Sequence, residues 1–347
     1  MKTAILKINK LLIACSIIIF AFGITIQGNS QVLSFETVKS NKFDYTKLAQ
    51  IDSIVNKYVS NRWLIGSTVI IVKDNQVVYH KGFGYANEAS KKAMPNNAIY
   101  RIMSQTKAIT SLAIMQLYEQ GKISLDQNVS TIISSFKNPT VLKDFNEKDS
   151  SYTTIPAKKE FTIRELLTHT AGFADGGFYV RYNDLSSLYD SSFKIDIRNN
   201  DLAHFVDQVA KMPLSFEPGE DWQYGPSINI AARVIEKVSG MSFRDFLNKR
   251  IFEPMHMMDT KFYLDSADAP RLTTLYSLDA SGKSVVLDPG TVSSKLIAGP
   301  KLFYSGSGGL TSTLDDYLSF CVMVLNNGSY NNKVIAKPET IASMKND

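Results

Sequence analysis

Cysteine, histidine and tryptophan are scarce in this chain of 347 residues, at two, four and two. The cysteines are Cys15, inside an apolar leader-like stretch, and Cys321, far downstream. Once the leader is removed a single thiol remains, so no internal disulfide can form even in an oxidising compartment. Cys321 sits in a helix-like run, residues 314–325, and reads as a buried structural thiol rather than a nucleophile. The histidines, His80, His169, His204 and His256, show no spacing suited to zinc. Each reads as structural, and no metal or other cofactor is expected. A Gly-x-Ser-x-Gly elbow is also lacking, since Ser305-Gly306-Ser307-Gly308-Gly309 fails its spacing. That segment lacks the lysine of a phosphate-binding loop too, and reads as a tight turn at a helix entry near a pocket. Nor is there a large excess of positive charge. The formal net charge is +5, and loss of Lys2, Lys7 and Lys10 with the leader brings it to +2. Nucleic acid is therefore not an expected partner. Internal repeats and low-complexity tracts are absent.

What remains is ordinary globular composition, 44% hydrophobic and 20% charged, in a chain long enough for a large core. Residues 1–30 read as a signal peptide: basic residues, an apolar run over 11–26, then Gly28-Asn29-Ser30 for a peptidase, with cleavage near Ser30/Gln31. Leu12-Ile13-Ala14-Cys15 matches a lipoprotein box weakly, because the apolar run continues past Cys15. An uncleaved leader acting as a membrane anchor is the alternative, and the only expected link to a membrane. Residues 31–43 read as a loose segment and 44–347 as one domain, exported to the periplasm or secreted.

Asp44 can cap a helix to about Val59, with Leu48, Ile51, Val55 and Tyr58 on one side. Residues 67–73 and 76–81 are β-rich, and Asp74-Asn75 between them marks an antiparallel hairpin that Gly82 to Ala86 ends. A hairpin alone is marginal in water, so more strands should join it. The middle of the chain offers none with a clear pattern, which leaves the C-terminal end. A helix follows Ser104, apolar on most faces at Ala108, Ile109, Leu112, Ala113, Met115 and Leu117, and so enclosed; Gly121 stops it. Residues 137–160 are polar without period and read as an exposed insertion. Residues 161–173 form a short helix closed by a glycine, 174–197 read as irregular, and 201–211 as helix. Glu217-Pro218-Gly219 turns the chain toward Trp222-Gln223-Tyr224-Gly225-Pro226. Then comes a helix with Ile228, Ala231, Ile235 and Val238 in one stripe, ending at Gly240, and another from Ser242 to about Ile251. Ser312 with Asp315 makes a capping box for the helix of Cys321. The fold class is α/β (α+β): an antiparallel sheet flanked by helices, plus a mostly helical region.

Chemistry concentrates at Ser104-Gln105-Thr106-Lys107. A hydroxyl and an amine three residues apart share one side of a helical turn. A serine hydroxyl is a poor nucleophile until a base removes its proton. A lysine can do so only when neutral, a form favoured by burial and by the positive end of a helix dipole. The helix N-terminus also offers unpaired N–H groups, and that of Ser104 could receive an oxyanion. A capping serine beside a solvated lysine is the bland reading of the same four residues.

The setting adds to this. In order come the hairpin with Gly82-Phe83-Gly84-Tyr85-Ala86, Ser104-Gln105-Thr106-Lys107, Leu166-Leu167-Thr168-His169-Thr170-Ala171-Gly172, Pro218-Gly219 before Trp222-Gln223-Tyr224, and a helix ending Val238-Ser239-Gly240. This succession resembles the serine β-lactamase and penicillin-binding-protein superfamily, above all its class C β-lactamase and esterase branch, over nearly all of the chain after the leader. The resemblance implies a β-lactamase/transpeptidase-like fold. It implies Ser104 as the acyl-forming nucleophile, Lys107 as its base or proton shuttle, and Tyr224 as the tyrosine of a Tyr-x-Asn motif that carries the proton to the leaving group. Without it, Tyr224 would read as an aromatic packed after a turn.

Two departures matter. Pro226 stands where that motif has asparagine, so no side-chain amide can hold a substrate amide or bond the lysine. This weighs against efficient β-lactam turnover more than against ester hydrolysis. A Lys- or His-x-Gly strand motif is not found, and with the sheet looking unfinished it is expected beyond Asp347, along with the missing C-terminal strands. The expectation is an exported serine hydrolase acting through an acyl-enzyme on an ester, amide or β-lactam, a small molecule or a cell-wall peptide. The rivals are a D,D-peptidase and a non-catalytic protein of the same fold that binds cell-wall peptides or a protein partner.

Overall fold

The computed structural model describes residues 44–146, 148–149, 151–174 and 200–346. The expected leader, the loose segment 31–43 and residues 175–197 of the irregular stretch lie outside the described residues. No helix among the described residues is long and apolar enough to cross a membrane.

Asp44 caps α1 (Tyr45–Ser60), its carboxylate accepting from the Thr46 amide at 3.0 Å. Strands β1 (Gly66–Lys73) and β2 (Gln76–Asn87) pair antiparallel. Asp74 and Asn75 between them both have positive φ, 51° and 57°, as a two-residue hairpin turn needs. The hairpin does not end at Gly82. It continues to Asn87 and takes a third strand, β3 (Lys92–Ala93). A Cβ on Gly82 would lie 2.3 Å from the Met94 carbonyl oxygen, so the glycine admits the returning chain rather than stopping the strand.

β4 (Tyr100–Arg101) leads through a 3-10 turn, Met103–Gln105, into α2 (Thr106–Glu119). The enclosed helix is as expected: Ile109, Leu112, Ala113, Ile114 and Leu117 are fully buried. The described residues of 137–160 are mostly exposed but not irregular. They hold an antiparallel pair, β5 (Thr140–Phe145) and β6 (Tyr152–Pro156). Every residue of β6 is exposed, so neither face selects apolar side chains and no alternation marks the strand.

A capping box of Thr162 and Glu165 starts α3 (Ile163–Leu167), and Asp201 caps α4 (Leu202–Val209). α5 (Ser227–Ser239) ends at left-handed Gly240, and Ser242 caps α6 (Phe243–Leu247), which runs on as a π-turn to Phe252. Another hairpin, β7 (Leu275–Leu278) with β8 (Ser284–Asp288), forms where the sequence shows no strand pattern. After α7 (Lys295–Ala298), β9 (Thr311–Ser312) pairs with β4. The cap of α8 (Leu314–Leu325) is Thr313, one residue later than expected, bonded to the Asp316 amide. Ser312 instead lies in β9 beside Tyr100, and its hydroxyl shares a hydrogen bond with Thr260 Oγ1 at 2.8 Å. Cys321 on this helix is half-buried rather than fully enclosed. Strands β10 (Ser329–Tyr330) and β11 (Lys333–Val334) and helix α9 (Pro338–Lys345) follow.

The core forms around α2 and α5, which pack against each other, with α3, α4 and α6 against α5. Phe136, Phe161 and Phe173 join it as an edge-to-face trio with centroids 5.1 to 5.9 Å apart. Among the described residues one ion pair is nearly buried. Arg101, three residues before Ser104, meets Asp288 of β8 at 2.5 Å, with side chains 10% and 11% exposed. Arg101 also donates to Thr273 O at 2.9 Å and Ser294 Oγ at 3.2 Å.

Removing the carboxylate alone would strand a buried guanidinium. Asp288→Ala is expected to destabilise the fold by about 3–5 kcal/mol, read as a lowered urea midpoint. Glu220→Ala, which breaks the solvent-exposed pair with Lys158, should barely move it. Equal shifts for the two variants would mean that Arg101 is not held as described.

Candidate active site

Ser104 sits in the single 3-10 turn before α2 and is exposed. Met103 just before it has φ +46°, rare for a residue with a Cβ, and bends the chain sharply there. Lys107 occupies the first turn of α2 and is half-buried. Helical geometry over three residues brings its Nζ to 3.1 Å from Ser104 Oγ.

Tyr224 arrives from far along the chain. Its Oη lies 2.7 Å from Ser104 Oγ and 2.5 Å from Lys107 Nζ, so the three residues marked in the sequence meet at one point. Pro226, two residues on, begins α5 as its cap residue. With Pro226 setting the helix start, Tyr224 is held where α5 abuts the first turn of α2.

A third segment completes the group. Lys107 Nζ donates to the carbonyl oxygen of Ser307 at 2.7 Å. The loop 305–309 thus supplies more than a turn near a pocket. It is fastened from both helices. Asn229 Oδ1 of α5 accepts from Ser305 Oγ and from the Ser307 amide, each at 3.0 Å. Thr110 Oγ1 of α2 donates to Gly306 O at 2.8 Å, and Thr106 Oγ1 accepts from the Leu310 amide at 3.2 Å. A Cβ on Gly306 would meet Ala232 Cβ at 2.7 Å and Ile228 O at 2.8 Å, so only glycine lets the loop lie this close to α5. Asn229 and Thr110 belong to no motif picked out in the sequence, and Thr106 stands in Ser104-Gln105-Thr106-Lys107 with no role assigned to it. A signal is there nonetheless: two hydroxyls four residues apart on an otherwise apolar enclosed helix, and an amide within a buried stripe, need partners.

His169, structural by its sequence setting, does more than pack in the preceding helix. It follows α3 with φ +58°, and its ring stacks on Tyr224 with centroids 5.0 Å apart and planes 18° off parallel. Its other neighbour is Trp222, edge-on at 6.2 Å and half exposed to solvent. Burial, and then the charge of Lys107, push the imidazole pKa down to about 4, so it is neutral at ordinary pH. His80 instead faces Asp315 at 3.7 Å, away from this group. Among the described residues no set of histidine, cysteine, aspartate and glutamate could hold a metal ion.

Chemically, this is a hydroxyl with two hydrogen-bonded routes for its proton, to a phenol and to an amine that themselves touch. A model of the beta-lactamase family matches residues 51–345. A lovastatin esterase of Penicillium rubens is 32% identical over 241 residues, which are 68% of this chain and 56% of that protein. The chain thus spans little more than half the length of that relative. Esterase EstB of Burkholderia gladioli is 26% identical over 309 residues, 85% of this chain and 72% of the esterase. The unliganded simvastatin synthase LovD of Aspergillus terreus shares the fold, with a TM-score of 0.69 at 22% identity over 85% of this chain and 71% of that one. The family match covers nearly all of the described residues, as the ordered motifs implied, and the chain belongs to the beta-lactamase family.

Proposed function

We propose that the protein is an exported serine hydrolase that cleaves carboxylic esters through an acyl-enzyme on Ser104. The observation that carries this is the closed triangle of Ser104 Oγ, Lys107 Nζ and Tyr224 Oη, with sides of 3.1, 2.5 and 2.7 Å. In this reading Ser104 Oγ attacks the ester carbonyl carbon, and its proton passes to the Lys107–Tyr224 pair. The carbonyl oxygen takes the negative charge, and N–H groups at the start of α2, that of Ser104 first, face it. When the carbon–oxygen bond to the alcohol breaks, Tyr224 Oη returns the proton to the departing oxygen. Water then attacks the acyl-serine, gives a proton to the same pair, and releases the carboxylic acid with Ser104 restored. No cofactor enters either half.

Esters are favoured over lactams and peptides for a local reason. Pro226 has no amide with which to hold a substrate's acyl amide. The nearby Asn229 amide oxygen is committed to the loop 305–309. Two relatives bear esterase names, which agrees with this choice. The basic and apolar leader is the ground for export.

A fluorophosphonate should add once to the full-length chain at Ser104, seen by intact mass and peptide mapping. Ser104→Ala should take no label and lose turnover by on the order of 1,000-fold or more. A folded wild type without an adduct at Ser104 would sink the reading.

Tyr224→Phe, which keeps the ring and drops the hydroxyl, should lower kcat for an aryl ester by about 100- to 10,000-fold with KM little changed. Among an aryl ester, a chromogenic cephalosporin and a D-Ala-D-Ala peptide, the ester should be turned over fastest. Faster cephalosporin turnover would point to a β-lactamase, and faster peptide cleavage to a D,D-peptidase.

A further inference from the structure

We infer that His169 is a positioning residue of this site: its imidazole, stacked on the Tyr224 ring, holds the phenol where it bridges Ser104 and Lys107. The inference rests on the hydrolase reading and deepens it.

The geometry has three parts. First, the rings are 5.0 Å apart and within 18° of parallel, so the imidazole covers one face of Tyr224. The hydroxyl is tied at its tip to Oγ and Nζ, but a phenol pivots about its side-chain torsions, and its oxygen is the atom farthest from the backbone. A small rotation moves it by an ångström, enough to lengthen both bonds beyond useful proton transfer. A flat neighbour on the ring face opposes that rotation. Second, the segments that carry the two residues are clamped together through their backbones. His169 O accepts from the Gln223 amide at 3.0 Å, and Thr170 O from the Gly219 amide at 2.8 Å. The imidazole is also wedged by Trp222, whose ring meets it edge-on. Third, His169 carries two local costs. Its φ of +58° is unfavourable for a side chain with a Cβ. Its Nδ1 is buried without a hydrogen-bond partner. A residue serving stability alone would be better as asparagine for the backbone or as an apolar ring for the burial. Two such costs on one residue in contact with Tyr224 point to function.

Neutrality suits this role. The Lys107–Tyr224 pair has to accept a proton, and a positively charged imidazole beside Tyr224 would oppose that movement. Burial and Lys107 keep the imidazole uncharged.

The test uses the full-length chain, an aryl ester for steady-state kinetics and a fluorophosphonate for the rate of Ser104 labelling. His169→Ala, His169→Asn and His169→Phe are made in the wild type and in Tyr224→Phe. His169→Ala and His169→Asn should each lower kcat and the labelling rate by about tenfold or more, with KM little changed. Asparagine suits the left-handed backbone, so its loss of activity separates the missing ring from backbone strain. His169→Phe keeps a flat ring and should stay within a few-fold of wild type. In Tyr224→Phe, where no hydroxyl remains to be positioned, His169→Ala should cost nothing further. Thermal midpoints show which variants fold, and if the alanine variant does not, the asparagine and phenylalanine variants carry the comparison. A folded His169→Ala or His169→Asn with wild-type kcat overturns the inference. So does a loss that persists undiminished in Tyr224→Phe, or a phenylalanine variant as slow as the alanine one. A wild type that takes no fluorophosphonate overturns the hydrolase reading and this inference together. Normal wild-type labelling with an unaffected His169→Ala overturns this inference alone.

Discussion

Lys107 Nζ reaches three oxygens from three separate stretches of chain: Ser104 Oγ at 3.1 Å, Tyr224 Oη at 2.5 Å and Ser307 O at 2.7 Å. An amine terminus has this many directions to offer and no more. Each partner comes on a different carrier, the turn before α2, the approach to α5 and the loop 305–309. The convergence therefore holds only while α2 and α5 keep their spacing. That spacing is set by close packing of their buried faces, where Ile109, Leu112, Ala113, Ile230, Ala231 and Val234 have essentially no exposure. An added methyl at Gly306 would collide with Ala232 on one of those faces, which shows how little slack the arrangement contains.

Polar groups inside this core serve the same end. Thr106 and Thr110 are fully buried, and Asn229 is nearly so. Each is satisfied by the loop 305–309, directly or at its end, so burying them carries little net penalty while tying the loop to both helices. Arg101 and Asp288 act likewise one layer away, linking the strand before Ser104 to β8. The site is thus placed by satisfied polar contacts within an apolar frame, rather than by the loop's own preferences.

Local interactions explain which elements are legible in the amino-acid sequence. Asp44, Asp201 and Ser242 cap their helices because a short polar side chain can bond an amide two or three residues on, whatever lies around it. Asp74-Asn75 turns the first hairpin because both residues tolerate positive φ. Other strands carry no such local mark. β3, β4 and β9 are two residues long, too short for a period, and β6 has no buried face to impose one. The one-residue shift in the cap of α8 has a similar cause, since Ser312 and Thr313 are equal candidates until β9 takes the first of them and Thr260 bonds its hydroxyl.

That Ser104 and Lys107 face each other follows from the order of residues alone, because helical spacing is a property of the backbone and needs no other part of the chain. Tyr224 is marked in the same sequence, through motif order rather than physics. Tertiary packing was needed to stack His169 on that tyrosine, to set Asn229 against the loop, and to bring a backbone carbonyl of Ser307 to Lys107. These contacts join residues that lie 55 or more positions apart in the numbering. A carbonyl is present in every residue, so its use leaves no trace in side-chain identity. A histidine beside a tyrosine is likewise visible only after packing has chosen which faces meet.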